Sequence, residues 1–156
     1  MPEVQILVAE DEGHLAEVRA LFQEYWRSFG FTPCFQGFGE ELARLPGDYA
    51  PPEGRLALAL VNNRPAGCIA LRRLDAERGE AKRLYVRPEF RGQGLGHALL
   101  DWLIREARAE GYREIVGDTM PVMDRALALY DRYGFERTAP YAADPTPGAV
   151  YLRLKL

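Results

Sequence analysis

The most restrictive feature of this chain is a run in which a strand, a glycine-rich turn and a helix start follow one another. It comprises Ala81-Lys82-Arg83-Leu84-Tyr85-Val86, then Arg87-Pro88-Glu89-Phe90, then Arg91-Gly92-Gln93-Gly94-Leu95-Gly96-His97. Three glycines within five residues, Gly92, Gly94 and Gly96, let the backbone turn sharply and bring its N–H groups close to a ligand with no Cβ in the way. The helix after the turn adds unpaired N–H groups and the positive end of its dipole. Such a turn is a cradle for phosphate oxygens, with a sheet strand on one side and a helix on the other.

Upstream of the turn, Val4, Ile6 and Val8 alternate with Gln5, Leu7 and Ala9, as in a strand. From Gly13 to Phe29, Leu15, Val18, Phe22, Tyr25, Trp26 and Phe29 recur at helical steps, which predicts an amphipathic core helix. Pro33, Pro46, Pro51 and Pro52 then break the pattern and leave room for a short helix from Glu40 to Leu45. Between Gly37 and Gly54, Glu40, Glu41, Asp48 and Glu53 stand against Arg44, an acidic stretch that is either a solvated surface or an attractor for a cationic substrate. Leu56 to Val61 is apolar throughout, as in a strand buried on both faces, and Asn62-Asn63-Arg64-Pro65 is a turn signal. Ala66–Leu71 and Glu80–Val86 are further strands whose short connections force an antiparallel meander.

Downstream, Leu95, Ala98, Leu99, Trp102, Leu103 and Ala107 mark a helix ending near Gly111, and Glu114 to Gly117 reads as a strand. A strand, a crossover helix and a strand imply parallel pairing with right-handed connection. The sheet therefore switches from antiparallel to parallel at the glycine turn, a kind of discontinuity that ligands favour. A helix from Val122 to Tyr133, a strand after Gly134-Phe135 and an alternating strand from Ala149 to Leu156 complete the chain. The expected class is α/β of the α+β kind: a mixed, mostly antiparallel central sheet flanked by helices, one domain over residues 1–156.

Composition narrows the function. A chain of 156 residues can bury a core without metal or disulfide staples, and a net charge of −3 offers no basic footprint for nucleic acid. Cys34 and Cys68 fit no metal spacing and are too few for a disulfide framework, so no metal and a reducing compartment are expected. The first residues carry no basic n-region, and no apolar run approaches the roughly 18 residues of a membrane span, so a cytoplasmic protein with no membrane partner is expected.

Three phosphate cradles have distinct spacings. A P-loop needs Lys and Ser or Thr after its last glycine, and neither follows Gly96. A dinucleotide fingerprint counted from Gly92 would place its third glycine where His97 stands, and it belongs after the first strand of a βαβ unit rather than after a meander. The run Arg91-Gly92-Gln93-Gly94-Leu95-Gly96 instead fits [RQ]-x-x-G-x-[GA] and resembles the acyl-CoA-binding motif of the GNAT superfamily of N-acetyltransferases. A second block, Ala126-Leu127-Ala128-Leu129-Tyr130-Asp131-Arg132-Tyr133-Gly134-Phe135, is similar to that family's A-x-x-L-Y-x-x-x-G-F segment. The resemblance covers nearly the full chain. It implies the family's acyl-CoA N-acyltransferase fold, acetyl-CoA as acetyl donor, and a primary amine of a small molecule or peptide as acceptor. A homodimer is compatible with it, and no residue here specifies one.

Carried across residue by residue, the resemblance implies that Leu84, Tyr85 and Val86 bind the pantetheine arm along an open strand edge. Arg91, Gly92, Gln93, Gly94, Leu95, Gly96 and His97 would then form the pyrophosphate cradle, and a backbone N–H, that of Val86 first, would face the oxyanion. Tyr130 stands where the family has its acid; a phenol of pKa about 10 protonating a thiolate whose acid is about 8.5 is uphill by about 2 kcal/mol. Glu80 is the nominated base. A carboxylate near about 4.3 facing an ammonium near about 10.4 would need a raised pKa, a water relay, or a role after attack. Asp118 is a candidate for the substrate's cation, and Met123 replaces the Asn that many family members carry three residues before the alanine of the second block. Two other classes remain as alternatives: a non-catalytic acyl-CoA-binding regulatory module, and a nucleotide or dinucleotide binder.

Overall fold

The computed structural model describes residues 3–30, 37–120, 123–141 and 148–156. Cys34 and Val122 lie outside them. The elements run β1 (Val4–Val8), α1 (Glu12–Ser28), α2 (Phe38–Arg44), β2 (Arg55–Val61), β3 (Arg64–Arg73), β4 (Arg78–Val86), α3 (Leu95–Glu110), β5 (Glu114–Thr119), α4 (Asp124–Arg132), β6 (Glu136–Arg137) and β7 (Val150–Lys155). All seven strands form one sheet in the order β1-β2-β3-β4-β5-β7-β6. Every neighbouring pair is antiparallel except β4 and β5, so the meander and the switch to parallel pairing both stand as the sequence predicts.

The helices form because their caps and apolar spacing agree. In α1 the Asp11 carboxylate accepts a 2.8 Å hydrogen bond from the His14 N–H, and Leu15, Val18, Leu21, Phe22, Tyr25 and Trp26 face the sheet. Helix α3 starts after Gly94 and stops at Gly111, both left-handed, and buries Leu95, Leu99, Leu100, Leu103, Ile104 and Ala107. None of the described helices is long and apolar enough to cross a membrane.

The two sheet faces carry separate cores. Strand β2 sends Leu56 and Leu58 to the core shared with α1, and Ala57, Ala59 and Val61 to the core shared with α3. That division is the period of two expected of a strand buried on both faces.

In β4 the alternation is reset. Tyr85 pairs with Cys68 while Lys82 pairs with Ala70, so Arg83 and Leu84 together oppose Ile69 in a β-bulge. Arg83 takes the left-handed conformation, φ 61°, that the extra residue requires. Ala81 lies in the α3-side core, as do Leu84 and Val86, whereas Tyr85 joins the α1-side core. Without the bulge, Ala81, Arg83 and Tyr85 would share one face.

Candidate active site

The bulge coincides with a splay in the sheet. Parallel pairing of β4 with β5 covers only Arg78, Gly79 and Glu80, opposite Glu114, Ile115 and Val116, and from Asp118 onward β5 still pairs with β7. The remainder of β4 keeps β3 on one side and presents an unpaired edge on the other. The Arg87 N–H bonds to Ala66 on β3, so by strand alternation the N–H and C=O of Val86, and of Leu84 two residues earlier, face the open side.

A cleft of about 980 Å³ opens along this edge. Leu84, Tyr85 and Val86 form one wall; Arg91, Gly92, Gly94, Leu95, Gly96 and His97 form the turn; Ser28 and Phe29 close the end of α1. Helix α4 supplies the opposite wall through Arg125, Ala128, Leu129 and Arg132, one face at helical spacing. The turn adopts positive φ at Gly92 (80°) and Gly94 (79°) with open space around both, so glycine is needed there for backbone conformation and for access to the N–H groups. Of the residues assigned to the cradle and arm, Gln93 alone is outside the lining, and it is exposed. Arg91 donates from Nε to the Val86 carbonyl at 3.0 Å, so its guanidinium caps the end of the open edge.

The two residues assigned to proton transfer are not in that lining. Tyr130 is 5% exposed, packs at 4.9 Å centroid distance on Phe135, and its hydroxyl has no hydrogen-bond partner among the described residues. Burial, reinforced by the nearby Tyr25 phenol and the Asp118 and Glu80 carboxylates, pushes its pKa above the usual phenol range, which keeps it protonated. Its neighbours Ala128 and Leu129 do line the cleft.

Glu80 is 3% exposed and fully engaged. Arg72 donates to Oε1 at 2.6 Å, the Tyr141 hydroxyl donates to Oε2 at 2.6 Å, and the Lys82 ammonium stands 3.8 Å away. Burial alone would raise this carboxyl, but Lys82, Arg72 and the Tyr141 hydrogen bond outweigh it and hold Glu80 below the usual carboxylate range. The raised pKa that a direct base would need is therefore absent. Lys82 also lies 3.9 Å from Asp118, so both acidic residues singled out from sequence belong to one buried cluster, and burial together with Arg83 depresses the lysine.

Sequence reasoning missed how the acidic stretch is used. Glu41 is no solvated charge: Arg83 donates to it from Nε at 2.9 Å and from Nη2 at 2.8 Å, and Tyr49 adds a 2.9 Å hydrogen bond. The Arg83 guanidinium stacks 4.2 Å from the Phe38 ring, so the residue that makes the bulge also clamps α2 to β4. Arg87 is likewise held in a long-range pair, bound to Glu24 at 2.7 Å. Met123 fills the α4 N-cap position, and its thioether accepts from the Tyr25 hydroxyl at 3.7 Å, joining α1 to α4 beside the cleft. No local pattern announces these long-range pairs, but the 125, 128, 129, 132 stripe was readable as a helix face.

Comparison with known proteins agrees with this geometry. Residues 15–135 match the family model described as Acetyltransferase (GNAT) family. An uncharacterised N-acetyltransferase of Schizosaccharomyces pombe is 38% identical over 144 residues, covering 91% of this chain and 88% of that protein. An acetyltransferase from Streptococcus agalactiae superposes with a TM-score of 0.83 at 23% identity, covering 98% of both chains. The PaiA N-acetyltransferase of Thermoplasma acidophilum, solved in complex with coenzyme A, gives 0.78 at 16% identity, covering 99% of both. An open strand edge beside a glycine cradle, in a chain matched over most of its length, makes this protein a member of the GNAT family of N-acetyltransferases, whose acetyl donor is acetyl-CoA.

Proposed function

We propose that the protein transfers the acetyl group of acetyl-CoA to a primary amine of a small molecule or an exposed peptide amine by direct attack, with no covalent enzyme intermediate. The observation that carries this reading is the unpaired Leu84–Val86 edge running straight into the Gly92–Gly96 turn. An amide-bearing arm hydrogen-bonds to such an edge as an added strand, and the turn's N–H groups receive the pyrophosphate. In the step itself the amine lone pair forms the N–C bond at the thioester carbonyl. The tetrahedral oxyanion then collapses and the C–S bond breaks; the proton on the former amine passes to water in the cleft, and the thiolate takes a proton from the Tyr130 hydroxyl, which water restores.

The outward-facing Val86 N–H is the donor for the oxyanion. Tyr130 holds the proton for the thiolate. Burial raises the phenol, and a thiolate leaving into the same dry surroundings has its basicity raised in the same sense, which offsets part of the deficit. Direct attack is favoured because Cys68, the one described cysteine, is fully buried outside the cleft lining and donates to the Arg83 carbonyl at 3.3 Å. Glu80, ionised, saturated with donors and outside the cleft lining, serves by holding Arg72, Lys82 and Tyr141 in place beneath the splay.

The test is thiol release from acetyl-CoA over a panel of small amines and peptides, with acetyl-CoA affinity measured separately by calorimetry. Turnover on at least one amine is expected, and Tyr130→Phe lowers kcat about 100-fold while acetyl-CoA still binds. Binding without turnover on any amine, or full activity in Tyr130→Phe, overturns the respective assignment.

A further inference from the structure

The cleft extends past the turn, and what lies there is cationic. Of the described residues lining it, Arg91, Arg125 and Arg132 are basic and Asp124 is acidic. Arg91 is engaged with the Val86 carbonyl at the arm end. At the other end of α4, Arg132 has no carboxylate partner among the described residues; its Nη1 sits 3.2 Å from His97 Nε2. His97 belongs to the first turn of α3, and its Nδ1 faces the Tyr133 hydroxyl at 3.4 Å while that hydroxyl donates to the His97 carbonyl at 3.1 Å. With Nε2 accepting from the guanidinium, the ring proton sits on Nδ1 toward Tyr133. Tyr133 thus holds the imidazole at Nδ1 and the His97 backbone at its carbonyl, and the Arg132 fork has no anion among the described residues.

We propose that Arg132 and His97 form a phosphate subsite that reads the ribose 3′-phosphate of the donor, so that the enzyme discriminates coenzyme A from its 3′-dephospho form. The inference rests on the acetyl-CoA reading above and extends it. The arm and pyrophosphate account for β4 and for the turn's N–H groups, and they leave the third phosphate without a counter-charge. Met123, which precedes α4, lies against Tyr25 near the splay, whereas Arg132 ends α4 against the first turn of α3. Going from splay to Arg132 therefore leads past the turn, in the order acetyl, arm, pyrophosphate, ribose phosphate. A phosphate dianion beside a guanidinium that has no carboxylate partner among the described residues gains a bidentate, charge-assisted pair, and it would displace the guanidinium–imidazole contact.

The experiment is calorimetric binding of coenzyme A and 3′-dephospho-coenzyme A to the wild type, Arg132→Gln and His97→Gln. The wild type is expected to bind coenzyme A about tenfold more tightly than the dephospho form, the size of an exposed charge-assisted contact. Arg132→Gln brings that ratio close to one by weakening coenzyme A alone, and His97→Gln reduces it in part. Equal wild-type affinities for the two ligands, or a ratio that survives Arg132→Gln, overturn the subsite while leaving the acetyl-CoA reading intact. Failure of the wild type to bind either ligand strikes that reading instead. Both side chains are exposed, and unfolding curves of the two variants confirm that they are folded.

Discussion

Glu80 shows how far a residue's chemistry depends on its neighbours. An acidic residue opening the strand before a cofactor turn suggests a base, yet Arg72, Tyr141 and Lys82 occupy both its oxygens and favour its charge. Because its folded pKa is depressed, the carboxylate stabilises the fold above its unfolded value of about 4.3, and that contribution is lost as pH falls through the folded value. Glu80→Gln strands Arg72 and Lys82 beside a neutral group and is expected to cost about 3 kcal/mol at neutral pH. Urea unfolding at pH 7 and pH 3.5 checks it: the difference from wild type shrinks at the lower pH. A difference that stays constant would mean that the charge is not what matters.

The glycine turn and the bulged strand β4 act as elements. Gly94 meets no atom where a Cβ would go, so the cost of a side chain there is conformational, about 1–2 kcal/mol for a left-handed L-residue. Gly94→Ala is therefore expected to weaken acetyl-CoA binding about tenfold, through strain relieved at the expense of the N–H arrangement. Calorimetry measures it, and an unchanged affinity would show that the cradle does not need this backbone. Arg83 holds the same left-handed region without being glycine, because its Glu41 pair and its stacking on Phe38 offset the strain. The clamp ties α2 to the strand that carries Leu84 and Val86, so a helix remote in sequence helps set the direction of the open edge.

For the molecule as a whole, both cores contain buried hydroxyls, Tyr25 and Tyr49 on the α1 face and Tyr130 on the α3 face, and these make stability sensitive to base. Burial lifts Tyr25 from 10.0 to about 12 despite Arg83 beside it, and burial raises Tyr49 and Tyr130 in the same direction. A folded pKa above the unfolded one stabilises fully below the unfolded value and is lost as pH rises through the folded one. Stability is thus expected to fall between pH 10 and about 12, with about 3 kcal/mol from Tyr25 alone. Chemical unfolding at pH 8, 10 and 11 measures the slope, and Tyr25→Phe flattens it; an unaltered slope would locate the sensitivity elsewhere.

The sequence by itself determined the strand and helix periods, the continuous apolar run of β2, the antiparallel meander, the parallel crossover and the glycine turn between β4 and α3. These are local or nearest-neighbour properties: side-chain alternation, short connections and glycine spacing dictate them without reference to distant residues. Only the tertiary structure decided that Arg83 forms a bulge held by Glu41, that Arg87 belongs to Glu24, and that Glu80 is locked among Arg72, Tyr141 and Lys82. Those pairings join residues separated by 42 positions for Arg83 and Glu41 and by 61 for Tyr141 and Glu80. A carboxylate's partners, and hence its protonation and its use, follow from which charges the folded sheet and helices bring within a few ångströms of it, a matter of packing that no local pattern encodes.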